Sequence, residues 1–424
     1  MRRGRADGLL PHRTGAGAER GQHDAGTDGR IAGAADVRGG RGDLRRPGGA
    51  SRARGIVTAA PAPRVGWPDV AKGVCIILVV LWHVVTKVAI DADGAGPVTD
   101  VWVTLNAQLL PLRIPLFFLV SGVFAARAVL DPERASWRRR ASRLALLYLV
   151  WVLIQTFVLA LTPDFDTARA TSGWELLAQL TISPTNLWYL LALAVYLVVG
   201  RLTRGVPTAV VLSVAFAIAA VAGAGLLPDL GNLWQLVQNL FFFLAGLRLR
   251  AAVERFAGRP RLRATLLLGG VYVGALALVS MLGIRLVPGV WPALALVAVA
   301  FGVAASALVD RKAEVVARPL RWIGRRTLPI YVLHMMPLAL IEAGLRAAGW
   351  RTTPVLEAIA PVVLTAIVIG VCLGAHTLLV RGGLGALFDP LQLTDRVLRR
   401  APAKGSRQSA GDGGPWRHGG LHSG

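Results

Sequence analysis

The sequence has few cysteines and few charged residues. Two of its 424 residues are cysteine, Cys75 and Cys372, and both lie within apolar runs. Two such thiols exclude a disulfide framework and offer no zinc-ligand spacing, so we expect no metal site. Charged residues make up 17% of the chain, whereas hydrophobic residues make up 54%. Together with its long apolar runs, this composition predicts a polytopic membrane protein.

Acidic residues are also scarce relative to basic ones. The chain has 24 Asp and Glu against 47 Lys and Arg, which gives a formal net charge of +23. In a soluble protein this charge would suggest nucleic-acid binding. Here the arginines cluster in loops and tails, as they do in the cytoplasmic loops of membrane proteins. We therefore expect no nucleic-acid partner.

Ten apolar segments follow Arg64 and predict ten membrane-spanning helices. They cover residues 70–90, 101–125, 143–162, 187–201, 207–227, 233–249, 264–283, 290–309, 327–345 and 355–380. The loops on one side of these segments hold twenty Lys and Arg, and those on the other side hold four. Because short basic loops stay in the cytoplasm, we predict both termini inside. The expected fold is an all-α polytopic transmembrane bundle of about ten helices, N-in and C-in, with disordered tails.

The chain divides into three predicted regions. Residues 1–63 are expected to be a disordered basic segment, because residues 1–56 hold twelve arginines, six acidic residues and no apolar run. A true start of translation near Val57 is a further hypothesis. Residues 64–385 form the predicted transmembrane domain, and 386–424 a cytoplasmic tail. No internal repeat is visible, so the inverted symmetry common in transporters has no support.

The first apolar segment carries three ionisable residues, Asp69, Lys72 and His83. At about 100° per residue, Lys72 and His83 share one helix face, and His83 lies about 16 Å deeper. An ionisable residue at that depth is costly and therefore indicates a functional site. A neutral imidazole can take a proton from an alcohol, and Lys72 can contact a phosphate or carboxylate. The alternatives are a helix cap for Asp69 and a positive-inside anchor for Lys72.

Three arginines are further candidates. Arg113 is predicted near mid-membrane, where an arginine needs a partner or a wet cavity. The alternative to function is an ion pair with Asp69 or Glu342. Arg140 and Arg143 lie three residues apart at a helix start and face the same way, which suits an anionic nucleotide. A positive-inside cluster explains the same two arginines without a ligand.

Two histidines and a small-residue pair complete the candidates. His334 lies about two turns into the ninth segment and is either functional or a core histidine. His376, near the inner end of the tenth segment, is expected to be structural. Ser121-Gly122 fits either a functional strip or close helix packing, which small residues permit.

Five stretches, taken in order and at these spacings, resemble the integral-membrane acyltransferase 3 family. The first is Lys72 and His83 with ten intervening residues, which resembles the family's Arg/Lys-x10-His signature. The other four are Pro115–Gly122, Arg140-x-x-Arg143, Leu187–Leu190 and Thr327–His334. The resemblance covers about residues 66–385. The chain departs from the family pattern at Lys72, where most members carry Arg, and at Thr327-Leu-Pro, where Ser-Tyr-Ser is usual. The lysine variant looks most like the branch of fucose 4-O-acetylases and related enzymes.

The resemblance implies transfer of an acyl group, usually acetyl, from acyl-CoA to a hydroxyl of a carbohydrate or lipid-linked glycan. Acetyl-CoA or another acyl-CoA would be the donor substrate, and the bacterial inner membrane the location. Membrane lipid, the glycan and glycan-assembly proteins would be partners. The candidate catalytic residues are then His83, Lys72, Asp69, Arg113 and His334, and the candidate donor-binding residues are Arg140, Arg143 and Lys72.

Two other functions also fit the sequence. A proton-coupled transporter of an anionic small molecule needs mid-membrane histidine and arginine as well. A non-catalytic scaffold in polysaccharide synthesis explains the helices but not the polar residues within them. Consumption of acyl-CoA in the presence of an acceptor separates the enzyme from both alternatives.

Overall fold

The computed structural model describes residues 66–89, 96–131, 133, 136–165, 167, 170–227, 232–349, 351 and 353–391. These residues form helices and contain no β-strand. The helices are α1 (Trp67–Val84), α2 (Pro97–Gln108), α3 (Leu110–Leu130), α4 (Ser136–Leu159), α5 (Gly173–Thr181), α6 (Trp188–Leu202), α7 (Thr208–Gly223), α8 (Leu233–Arg248), α9 (Arg250–Ala257), α10 (Leu262–Leu282), α11 (Val290–Lys312), α12 (Glu314–Gly324), α13 (Thr327–Leu333), α14 (Met335–Ala347) and α15 (Pro354–Arg381). A π-helical turn (Val85–Ala89) extends α1, and a 3-10 turn (Leu384–Leu387) follows α15.

The predicted all-α polytopic bundle is confirmed. By length and apolar composition, six helical stretches of the described residues can cross a membrane, or eight if each of two bent helix pairs counts as one span. Helices α6 and α7 have 15 and 16 residues. They extend over about 22–24 Å, against a hydrocarbon core of about 30 Å. Ten complete crossings and the N-in, C-in orientation therefore stay predictions. The segment 1–63, the proposed start near Val57 and residues 392–424 lie outside the described residues.

Several predicted loops contain helices. Helices α5, α9 and α12 fall within segments that the charge pattern marked only as connections. Helix α12 is amphipathic: Val315 and Trp322 are exposed, while Arg321 on its polar side binds Asp310 at 2.6 Å and also binds Glu314. A basic helix with exposed aromatic and aliphatic side chains is typical of the membrane interface. The charges counted as loop charges thus belong partly to folded helices.

Glycines let the central helices cross closely. A Cβ on Gly122 of α3 would lie 2.1 Å from the carbonyl oxygen of Phe243 on α8, and one on Gly246 of α8 would lie 2.0 Å from that of Leu119. The two glycines therefore allow backbone-to-backbone contact between α3 and α8. Close packing, the alternative considered for Ser121-Gly122, is confirmed for Gly122.

The ninth predicted span is bent. Helices α13 and α14 meet at 44°, and Pro337 lies in the first turn of α14. Proline lacks the N–H that would bond to the carbonyl of Leu333, and its ring crowds that carbonyl, so a continuous helix is disfavoured. Next to the bend, the carbonyl of Val332 accepts a hydrogen bond of 2.9 Å from Nε2 of Gln155 on α4. The bend brings residue 334 to a helix end inside the bundle.

Candidate active site

Two histidines from different helices meet inside the bundle. His83 lies near the end of α1, and His334 lies at the bend between α13 and α14. Their ring centroids are 5.0 Å apart, and the rings are inclined by 42°. His334 is fully buried and His83 is half-buried. Sequence analysis selected each histidine separately, and the structure brings the two together.

The ring nitrogens of this pair have distinct surroundings. Nδ1 of His334 lies 2.7 Å from the carbonyl oxygen of Tyr331. Because a carbonyl oxygen only accepts, that nitrogen carries the proton and Nε2 of His334 has a free lone pair. Nε2 of His334 and Nδ1 of His83 are both buried without a hydrogen-bond partner in the described residues. Each histidine therefore has one buried ring nitrogen that makes no hydrogen bond within the described part of the chain.

A cavity of about 450 Å³ is lined by Lys72, Arg140 and Arg143. Its volume lies in the range of small-molecule pockets, about 300–1,000 Å³. The walls are mainly apolar side chains of α3, α4 and α6. Tyr331 lines the cavity, and its ring centroid is 6.0 Å from that of His334. Neither histidine lines the cavity, and Tyr331 is the wall residue that lies next to His334.

Hydroxyl groups line part of this cavity. The Ser121 hydroxyl lies 2.7 Å from the Tyr189 hydroxyl. The Tyr331 hydroxyl donates to the carbonyl of Asn186 at 2.7 Å and accepts from the backbone N–H of Tyr189 at 3.2 Å. Sequence analysis did not select Tyr189 or Tyr331, although both lie in the family-like stretches 187–190 and 327–334. Their position in those stretches was the available signal.

A carboxylate lies beside one of the cations that line the cavity. Nζ of Lys72 lies 2.8 Å from Asp69 and 5.0 Å from the centre of the Phe124 ring. The other Asp69 oxygen lies 3.3 Å from Arg325. Gly66 occupies the N-cap position of α1, so capping does not explain Asp69. Its carboxylate instead pairs with Lys72 and Arg325, and Lys72 lines the cavity, whereas His83, on the same predicted helix face, does not.

Arg140 and Arg143 both line the cavity, which agrees with the prediction that they face the same way. Nη1 of Arg140 reaches the carbonyl of Phe124 at 3.5 Å. Arg143 contacts the segment that follows α15. It donates a hydrogen bond to the carbonyl of Phe388 at 3.2 Å and forms an ion pair with Asp389 at 3.2 Å. The contact with residues 388–389, at the predicted start of the tail, has no signal in the sequence.

Arg113 has a different environment from the one expected. It is buried on α3, where Nη1 donates to the Leu78 carbonyl at 3.4 Å and the guanidinium lies 4.6 Å from the Trp82 ring centre. The suggested ion pair with Asp69 or Glu342 is wrong, since Asp69 pairs with Lys72 and Arg325, and Glu342 pairs with the arginine four residues later. An aromatic face and a carbonyl replace the carboxylate as partners of the charge. Arg113 is not among the residues that line the cavity.

The comparisons with known proteins point to one family. The family model described as "Acyltransferase domain" (acyltransferase 3) matches residues 65–376. The inner membrane protein YcfT of Escherichia coli (strain K12) is 29% identical over 157 residues, which cover 32% of this chain and 43% of that protein. The alignment thus spans less than half of that relative. No solved structure matches the chain. With most of its described residues inside the match, the chain belongs to the acyltransferase 3 family of membrane proteins.

Proposed function

We propose that the protein transfers an acyl group, usually acetyl, from acyl-CoA to a hydroxyl of a carbohydrate or lipid-linked glycan. Family membership makes it a multi-pass membrane acyltransferase in general terms. The donor, the acceptor and the use of histidine are our proposal. The relative in Escherichia coli carries the name inner membrane protein, and we propose the bacterial inner membrane for this chain as well.

The cavity lined by three cations, with Tyr331 of the family-like stretch 327–334 in its wall, is the observation that carries the proposal. Lys72, Arg140 and Arg143 supply positive charge at one end, which suits the phosphates of a nucleotide-bearing donor. The apolar walls suit a thin, uncharged pantetheine arm. The thioester would then lie at the inner end, near Tyr331 and the histidine pair. The cavity thus provides for the charged head and the arm of an acyl-CoA, and Tyr331 in its wall lies next to His334.

The proposed chemistry uses His83 as the base. One ring nitrogen takes the proton of the acceptor hydroxyl while the hydroxyl oxygen attacks the thioester carbonyl carbon. The carbon–sulfur bond then breaks, and the departing coenzyme A thiolate takes the proton from the imidazolium. An ester and the free thiol result, and His83 returns to its neutral form. Transient acylation of His83 itself is the second route that the same geometry permits.

Arg113 is the proposed source of positive charge for the developing oxyanion. Its guanidinium is held against Trp82, the residue before His83, so it lies at the same level of the bundle as the base. A buried charge in such a dry environment acts more strongly than it would in water. Lys72 and Asp69 remain proposed contributors at the donor end.

The test is transfer of label from radioactive acetyl-CoA into the glycan or lipid fraction of inside-out membrane vesicles. Vesicles that contain the wild-type protein should incorporate label. His83→Ala should lower incorporation by about 10²–10⁴-fold, the usual cost of losing a general base. The assay does not require the acceptor to be known beforehand.

His376→Ala is the matched control, because it removes a membrane-depth imidazole that does not line the cavity. It should retain the wild-type rate. Equal incorporation by wild type and His83→Ala, at equal protein abundance, would contradict the mechanism. No covalent label with any variant, accompanied by uptake of an anion into proteoliposomes, would favour the transporter.

A further inference from the structure

We infer that His334 is a positioning residue that holds His83 in its Nδ1–H tautomer and thereby leaves Nε2 of His83 as the basic nitrogen. The inference rests on the proposed function for its catalytic consequence. The tautomer itself is a property of the folded protein and can be measured without an acceptor or a donor.

First, the Tyr331 carbonyl determines which ring nitrogen of His334 carries the proton. Its Nδ1 lies 2.7 Å from the Tyr331 carbonyl oxygen, which has no proton to give. Nδ1 of His334 therefore donates, and Nε2 of the same neutral ring can only accept. This orientation is set locally, because His334 lies at the bend of the ninth span, three residues after the carbonyl that it binds.

The second step is the complementarity of the two unsatisfied nitrogens. Nε2 of His334 and Nδ1 of His83 are buried and have no hydrogen-bond partner among the described residues. Buried polar atoms without partners are uncommon and call for an explanation. A proton on Nδ1 of His83, donated to Nε2 of His334, would satisfy both atoms with one hydrogen bond.

The third step is the distance. An N–H···N hydrogen bond of about 2.9 Å joins imidazoles whose ring centres are about 5 Å apart. The centroids of His83 and His334 are 5.0 Å apart. The separation of the rings therefore matches this hydrogen bond, and rotation of the His83 ring about χ2, a soft torsion for histidine, can turn its Nδ1 towards His334 while the Tyr331 contact is kept.

Arg113 is the competing partner on the adjacent helix. A guanidinium only donates, so a contact with Nδ1 of His83 would impose the opposite tautomer. The guanidinium instead contacts the Leu78 carbonyl and the Trp82 ring. His334 is consequently the group whose free lone pair matches a proton on Nδ1 of His83.

This arrangement gives His334 a role that is separate from contact with substrate. The Tyr331 carbonyl orients His334, and His334 orients His83. The Nε2 lone pair of His83 then faces away from His334 and is available to the acceptor hydroxyl. When His83 gains a proton, the His334 lone pair stabilises the resulting cation through the same hydrogen bond.

The direct test is nitrogen-15 NMR of histidine-labelled protein in lipid bilayers, without ligand. Ring nitrogen signals distinguish protonated from unprotonated positions, and the signals absent from His83→Ala identify His83. We expect a protonated Nδ1 and an unprotonated Nε2 for His83 in the wild type. In His334→Leu the preference for Nδ1–H should be lost. A wild-type His83 with its proton on Nε2 would overturn the inference and leave the proposed acyl transfer untouched.

Kinetics with acetyl-CoA provide the second measurement. His334→Leu should lower kcat about 10–100-fold, the range found when a residue that orients a functional histidine is removed, with little change in the KM for acetyl-CoA. His334→Gln should recover most of that loss, because its amide can both donate to the Tyr331 carbonyl and accept from His83. Equal losses in the Leu and Gln variants, with the His83 tautomer unchanged in both, would reduce His334 to a packing residue. A failure of all variants and wild type to transfer acetyl would refute the proposed function, and the NMR result would stand.

Discussion

The close crossing of α3 and α8 predicts that alanine at Gly122 lowers the stability of the protein. At Gly122 an added Cβ would lie 2.1 Å from the Phe243 carbonyl oxygen and 2.8 Å from the Leu247 nitrogen. Both atoms belong to backbone, so neither can rotate away. Gly122→Ala must therefore push the two helices apart or bend one of them. At Gly274, on helix α10, whose side chains are mostly exposed, an added Cβ meets nothing within 4 Å.

The two substitutions should change stability in opposite directions. Alanine in a helix interior is favoured over glycine by about 0.5–1 kcal/mol, a gain that applies to both positions. Overpacking typically costs about 1–3 kcal/mol, and only Gly122 incurs it. We expect a net loss of about 1–2 kcal/mol for Gly122→Ala and a small gain for Gly274→Ala. Gly246→Ala should behave like Gly122→Ala, because its Cβ would lie 2.0 Å from the Leu119 carbonyl oxygen.

The assay is thermal unfolding of the purified protein in one detergent, followed by intrinsic tryptophan fluorescence. The melting temperature should fall for Gly122→Ala and stay level or rise for Gly274→Ala. Equal melting temperatures for the two variants would refute the close crossing. A lower value for Gly274→Ala than for Gly122→Ala would refute the open space around Gly274.

Two further predictions concern the donor end and the membrane topology. Replacing both Arg140 and Arg143 with Gln should raise the KM for acetyl-CoA. The difference from wild type should shrink as the salt concentration rises, because exposed charges are screened. The control Arg259→Gln changes an exposed arginine outside the cavity and should leave the KM for acetyl-CoA unchanged. An unchanged KM in the double variant would leave both arginines as topology anchors. Single cysteines at Gly205 and Gly258 should react with an impermeant maleimide only in permeabilised cells, and a cysteine at Gly349 should react in intact cells. A reversal of these accessibilities would contradict the loop-charge argument.

Most of the fold could be predicted from the sequence, because membrane-spanning helices differ from their connecting loops in amino-acid composition. Long apolar runs and basic loops marked the positions of the spans, and a helix lies at each of them. The bend at His334 was missed because Pro337 was taken as part of an uninterrupted apolar run. The helices α9 and α12 were missed because their arginines were counted only as loop charge. Propensity and periodicity carry little information on where a helix leaves the membrane.

The candidate site was only partly predictable for a different reason. The helical repeat could relate Lys72 to His83, since both lie on one helix. It could not relate His83 to His334, because that contact joins helices that are more than 200 residues apart in the sequence. The expected partner of Arg113 was wrong for the same reason: a charge rule suggests a carboxylate, and the fold provides an indole ring and a carbonyl.

The ion pair between Arg143 and Asp389 leads to the last prediction. The Arg143 and Asp389 side chains are 43% and 27% exposed, and the two charges are 3.2 Å apart. Under the proposed function, a donor phosphate must compete with the Asp389 carboxylate for Arg143. Asp389→Asn removes that competition, so the KM for acetyl-CoA should fall. Exposed pairs contribute about 0–1 kcal/mol, which limits the change to about fivefold.

The nearby backbone should hold the segment in place when this charge is removed. The indole of Trp151 donates to the Leu387 carbonyl at 2.9 Å, and its ring packs against Phe388 at 5.4 Å. A lower KM in Asp389→Asn should vanish when Arg143→Gln is added, because the two changes act through one ion pair. Glu254→Gln, which breaks the exposed pair with Arg250 on α9, is the matched control and should not change the KM. A KM that rises in Asp389→Asn would mean that the carboxylate orients Arg143 for the donor, and it would refute the competition.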